Sequence, residues 1–269
     1  MAKNYKKQPI PIPTNPPTAG MYGHQPVNEQ SSYYMEPLVA ACAHDIEGTN
    51  FYHLPENANA PYQNNLKGTF EKVWVRQTVA QKLAAVNEEA KKYDCELFLT
   101  DGYRSVACQQ SLWQTICDEA CDMGKVGEEV TAYAEQYVSN PTRFNKHDST
   151  TWPSHSTGGA VDVTLRCLKT GEYLSMGVEL DNNSHFAHTA AYEKLAKEGK
   201  LGAEEQEALE NRRLLFHLMH GQGFVNYAYE FWHYDWGTQM AMTNGPQWQQ
   251  SVPQKAYYGY CEPPKEEKE

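Results

Sequence analysis

Apolar side chains at Val75, Val79, Leu83, Val86 and Ala90 recur at three- and four-residue steps within residues 74–93. That period puts them on one stripe of a helix, and a helix of this kind must bury its stripe against a second layer. Residues 96–100 follow at once as a short strand candidate, closed by the turn signal Asp101-Gly102. A one-sided helix joined directly to a strand predicts helices packed on a sheet.

The remainder of the chain extends this pattern. Further helices are expected over 106–121, over 128–138 (stopped by Asn140-Pro141) and over 203–220, with Gly221 as the C-cap. Residues 160–165 alternate as a strand, 169–172 read as a hairpin turn, and the aromatic-rich stretch 224–236 reads as a strand. The expected fold class is α+β, with helices on an antiparallel or mixed central sheet.

One catalytic-size domain is expected over residues 36–262 of the 269. Residues 1–35 are rich in Pro, Asn, Gln and Tyr and read as an arm that wraps the domain or stays mobile, and 263–269 as a charged, frayed tail. The formal net charge is -11 and the basic residues form no stripe, which argues against nucleic acid and anionic surfaces as partners. The longest apolar run, 38–43, is far short of a membrane span. Lys3, Lys6 and Lys7 lead into prolines and not into an apolar leader core, so a cytoplasmic location is expected. The seven cysteines are expected to be reduced and mostly buried, and Cys117 with Cys121 lack the neighbours that would complete a metal site.

Two segments carry metal chemistry. A hydrolytic zinc needs three imidazole or carboxylate ligands and one open position. His155 and Asp162 flank the close reversal at Gly158-Gly159, and Glu230 precedes His233 by three residues. On a regular strand that odd spacing would send Glu230 and His233 to opposite faces, so a bend or bulge near Phe231 is expected if both serve one site. Two other histidine pairs, His217 with His220 and His185 with His188, lack a carboxylate ligand set and are expected to pack or to lie at the surface.

Taken together with Asp101-Gly102-Tyr103-Arg104, these segments resemble the signature of the D-alanyl-D-alanine dipeptidases of the vancomycin-resistance type, within the zinc D,D-peptidases. The likeness covers about residues 70–237 and includes Thr170-Gly171-Glu172, Asn211-Arg212-Arg213 and Trp232-His233-Tyr234. It implies a hedgehog-like zinc D,D-peptidase fold and one Zn²⁺ per subunit, bound by His155, Asp162 and His233. It further implies Glu230 as general base and Arg104 as the group that stabilises the oxyanion. Asp181 would receive the ammonium of a small dipeptide substrate, and Ser154 and Trp232 would line its site. Pro153, Phe231, Ser105 and Leu180 stand where the family usually has Ser, Trp, Pro and Phe. Three activities fit this resemblance: a dipeptidase on free D-alanyl-D-alanine, a carboxypeptidase or endolysin on peptidoglycan stems, and a binding protein that keeps only the fold. Oligomeric state is not legible in the sequence.

Overall fold

The computed structural model describes residues 3–55, 58, 66–135, 137–182 and 184–265. Along the chain come β1 (Leu38–Ala40), β2 (Glu47–Gly48), β3 (Trp74–Arg76), α1 (Gln77–Ala90), β4 (Cys95–Asp101), α2 (Val106–Asp122) and α3 (Glu128–Ala134). They are followed by β5 (Ala160–Cys167), α4 (Ala191–Lys197), α5 (Ala203–Gly221), β6 (Val225–Asn226), β7 (His233–Asp235) and α6 (Gln239–Asn244). The main sheet has the order β2-β4-β5-β7-β6. β2 runs parallel to β4 and the other pairs are antiparallel, so the sheet is mixed and the class is α+β.

One face of this sheet makes the core. Leu97 and Leu99 of β4 and Val161, Val163 and Leu165 of β5 pack with the α1 stripe and with Leu214, Leu215, Leu218 and Met219 of α5. Period-two alternation then turns Asp162 and Thr164 to the opposite face. α2 and α3 form a smaller cluster around Leu112, Trp113, Ile116 and Val138, which Tyr52 joins.

Three expected elements are redrawn. Residues 74–76 are a strand, not the start of the helix, because they pair antiparallel with β1; α1 begins at Gln77. Backbone pairing to a distant segment overrides the helical period there. α3 ends at Ala134, short of the expected residue 138, and Val138 packs on α2. The expected strand over 224–236 is cut into β6 and β7 by a turn at 227–232. The hairpin at 169–172 does form, with Cys167 N–H donating to Glu172 O at 2.8 Å and Leu174 N–H to Leu165 O at 2.8 Å.

The N-terminal arm lies on the domain. Ile10 is buried among Phe216, Val225 and Trp248, its N–H donating to Glu193 Oε1 at 2.8 Å. Tyr22 packs on Tyr227 and Met240, and Val27 bridges to Ala256. All seven thiols are free, but burial is less than expected: Cys95 and Cys108 are buried, whereas Cys42 and Cys121 are exposed. No helix among the described residues is long and apolar enough to cross a membrane.

Candidate metal centre and active site

Three adjacent strands bring the chemistry into one row. Asp162 on β5 is the direct cross-strand partner of His233 on β7 and of Asp101 on β4, so their side chains share a face. Strict alternation from Leu97 and Leu99 would send Asp101 into the core. A register shift between Leu99 and Asp101 turns it to the side of Asp162, the effect a bulge has next to an active site.

His155 arrives from a loop. It opens the 3-10 turn His155–Thr157, which Gly158 closes in the left-handed region at φ 73°. A Cβ on Gly158 would stand 2.5 Å from Leu38 Cδ2, so only glycine fits both the angle and the space. The turn aims the imidazole at the sheet, where His155 Nδ1 meets Gly102 O at 2.8 Å. A carbonyl only accepts, so Nδ1 carries the proton and Nε2 presents a lone pair.

The same reasoning fixes the other ring. His233 Nε2 lies 2.8 Å from Asp235 Oδ2 and donates to it, leaving Nδ1 to face His155 Nε2 at 3.1 Å and Asp162 Oδ1 at 3.1 Å. The third edge, His155 Nε2 to Asp162 Oδ1, is 3.5 Å. Two imidazole lone pairs and a carboxylate oxygen therefore converge in a buried spot, which is repulsive unless a cation or a proton lies between them. The edges match the spacing of about 3.3 Å between tetrahedral ligands that zinc bonds of about 2.0–2.1 Å imply. Among the described residues these three form the one His, Cys and carboxylate group able to hold a metal.

Electrostatics agree. Burial opposes charge on Asp162, yet His155 and His233 hold its carboxyl well below the usual range. Burial likewise opposes a proton on His233, but Asp235 and Asp162 outweigh it and raise the imidazole well above its ordinary value. A proton is thus held where a metal would displace it.

Above His155, Asp162 and His233 opens a cavity of about 70 Å³, lined among others by Tyr52, Arg104, Ser154, Asp181, Glu230 and Trp232. Glu230 Oε2 lies 3.8 Å from His233 Nδ1, and a quarter of its side chain stays open to the cleft. Burial, with Asp162 and Asp181 acting against the opposite pull of His233, pushes its carboxyl up to about 8; a divalent cation alongside would draw it back down. The turn that carries Glu230 is pinned by Asn226, whose amide donates to Glu230 O and His233 O at 3.0 Å each. The expected distortion near Phe231 is this turn, which lets Glu230 and His233 face one point despite their odd spacing.

Arg104 stands just before α2, where Ser105 caps the helix by accepting Cys108 N–H at 3.0 Å. Its guanidinium donates to Asp101 Oδ2 through Nε at 2.9 Å, to Gln109 Oε1 through Nη1 at 3.2 Å and to Tyr52 Oη through Nη2 at 3.0 Å. Asp162 Oδ2 lies 3.3 Å from Nη2. Asp181, at φ 55°, lies in a loop held by Arg212 of α5. The Arg212 guanidinium donates to Met176 O, His188 O and Phe186 O at 2.8–2.9 Å and is sandwiched by the rings of Tyr192 and Phe231.

The structure thus gathers all eight candidate residues around one cleft. Ser154 lines it with its hydroxyl turned onto Asp235. Sequence reasoning missed Asp235, Tyr52 and Asn226. Asp235 follows His233 by two on a strand, and that spacing is a signal for a supporting carboxylate; Tyr52 lies far from the motifs and gave none, and Asn226, four residues before Glu230, was passed over. His217 packs on the arm, with Nε2 donating to Gln8 O at 3.0 Å and its ring stacked on Tyr5.

The profile of the D-ala-D-ala dipeptidase family matches residues 38–253. The chain belongs to the D-Ala-D-Ala dipeptidase family. The D-alanyl-D-alanine dipeptidase of Enterococcus faecium is 31% identical over 174 residues, spanning 64% of this chain and 73% of the relative. That of Synechocystis is 28% identical over 173 residues, 62% and 70% of the two chains. A crystal structure of a vancomycin-resistance D,D-pentapeptidase, VanY, with Zn(II) is 16% identical and aligns over 70% of this chain and 88% of its own, with a TM-score of 0.34. Within the family match fall the three candidate ligands and all the residues that line the cleft.

Proposed function

We propose that this protein hydrolyses free D-alanyl-D-alanine to two D-alanines at a zinc centre held by His155, Asp162 and His233. The observation that carries the reading is the convergence of two imidazole lone pairs and a carboxylate oxygen beside Glu230, in a chain of the D-Ala-D-Ala dipeptidase family. When bound there, Zn²⁺ supplies Lewis acidity, polarising a carbonyl and lowering the pKa of water toward about 7.

The chain's own groups do the rest. Glu230 takes a proton from the attacking water and returns it to the leaving amine. Arg104, fixed by Asp101, donates to the oxygen on which negative charge develops, a contact that gains strength in a site closed to water. Asp181 receives the substrate ammonium, which explains a preference for a dipeptide: in a longer chain the nitrogen at that place is an uncharged amide. Ser154 and Trp232 form part of the wall against which the dipeptide lies. The same reading places the enzyme in the cytoplasm, where an unlinked dipeptide is met.

The test is D-alanine release by zinc-loaded protein from the free dipeptide, from its N-acetylated form and from a pentapeptide stem. Cleavage of the free dipeptide alone is expected. Efficient cleavage of the pentapeptide would reassign the protein to carboxypeptidases acting on peptidoglycan stems, and cleavage of none would leave a binding protein.

A further inference from the structure

Tyr52 belongs to none of the motifs, yet its hydroxyl stands between two groups of the proposed mechanism. It lies in the 3-10 turn Phe51–His53, whose cap Asn50 accepts its N–H at 3.1 Å, and it is 4% exposed. The hydroxyl donates to Asp181 Oδ2 at 3.0 Å and accepts from Arg104 Nη2 at 3.0 Å. Its ring lies 4.5 Å from the guanidinium carbon of Arg104. One phenol therefore joins a carboxylate to a guanidinium inside a small cleft.

Opposite charges so placed attract. Carboxylate and guanidinium form a short bidentate pair when nothing separates them, and enclosure strengthens the attraction. Such a pair would weaken both functions at once: the Asp181 charge would be neutralised by Arg104 and not by an ammonium, and Arg104 would turn from the carbonyl. A neutral hydroxyl with one donor and one acceptor satisfies each partner without joining them. The Tyr52 ring meanwhile holds the guanidinium from one face, and Asp101 with Gln109 hold Nε and Nη1.

We propose that Tyr52 is a specificity-determining residue of this site, its hydroxyl keeping Asp181 and Arg104 apart so that Asp181 stays available to the ammonium of a free dipeptide. The inference rests on the roles proposed above for Asp181 and Arg104.

Tyr52→Phe is the clean variant, because it keeps the ring, its packing on α2 and its contact with Arg104 while deleting one oxygen. Zinc-loaded wild type and variant are compared on free and N-acetylated D-alanyl-D-alanine, with zinc content and the thermal midpoint measured alongside. The variant is expected to hold zinc and melt as wild type does, while the ratio of kcat/KM for free over acetylated dipeptide falls about tenfold or more, the size of one hydrogen bond to a charged group. In an Asp181→Asn background the same change should leave that ratio unaltered, since no carboxylate remains to protect. A loss of packing alone would lower both substrates equally and leave the ratio unmoved. A wild type that prefers the free dipeptide, with a Tyr52→Phe variant that keeps the full preference, overturns the role of Tyr52 alone. A wild type without the preference overturns the reading of Asp181, and this proposal with it.

Discussion

Glu230 Oε2, 3.8 Å from Nδ1 of His233, is near enough to reach a water in the cleft and too far to replace a ligand. Glu230→Ala should therefore keep its zinc, measured by metal analysis, and lose about 10²–10⁴-fold in kcat, the contribution of a placed general base. His155→Ala should behave differently and lose the metal itself, since it removes one corner of the ligand triangle. Asp235 does not line the cleft, but it fixes which nitrogen of His233 is free and is itself held by Ser154 and by Thr238 Oγ1 at 2.6 Å. Asp235→Asn should weaken zinc binding about 10–100-fold in a chelator competition. Near-wild-type affinity in that variant would show that His233 needs no such orientation.

The elements act through their ends and irregularities. β5 is regular, and its alternation delivers Asp162 to the site face while Val161 and Val163 stay in the core. β4 and the β6–β7 connection do the opposite, breaking the period to turn Asp101 to the side of Asp162 and Glu230 to the cleft. At the reversal before β5, Gly158→Ala should destabilise the fold by about 1–2 kcal/mol from the left-handed backbone alone, and by more through the clash with Leu38; urea unfolding measures it. α5 secures the loop of Asp181 with Arg212, which donates to three backbone carbonyls of residues 176–188. Burial pushes this guanidinium down to about 10, still charged at neutral pH and faced by two aromatic rings.

For the molecule as a whole, the metal and the arm both stabilise by holding distant segments together. His155, Asp162 and His233 come from a loop and two strands, so a zinc bound between them would favour the folded chain by about 4 kcal/mol when free metal is a thousandfold above its dissociation constant. Chelation should abolish dipeptide cleavage and lower the thermal midpoint, and added Zn²⁺ should restore both. The arm covers Phe216, Trp248 and Met240 through Ile10 and Tyr22. Removing residues 1–26 should lower the midpoint in calorimetry, since Ile10 alone buries a side chain of about 1.5–3 kcal/mol.

The α1 stripe, the long helices α2 and α5, the strand at Asp162 and the segments that carry His155, Asp162, Glu230 and His233 are legible in the chain as local periods or short motifs, whereas Arg104, Asp181, Ser154 and Trp232 were reached through the family resemblance. Local chemistry also carried the glycines at the reversal. What only the tertiary structure decided are features set by pairing between distant segments. The capture of 74–76 by β1 and the shift that turns Asp101 against β5 are of this kind. Tyr52 acquires its place for the same reason. The hydrogen bond between Tyr52 and Arg104 forms only once residues 52 positions apart have been brought face to face, and no periodicity in the sequence records that distance.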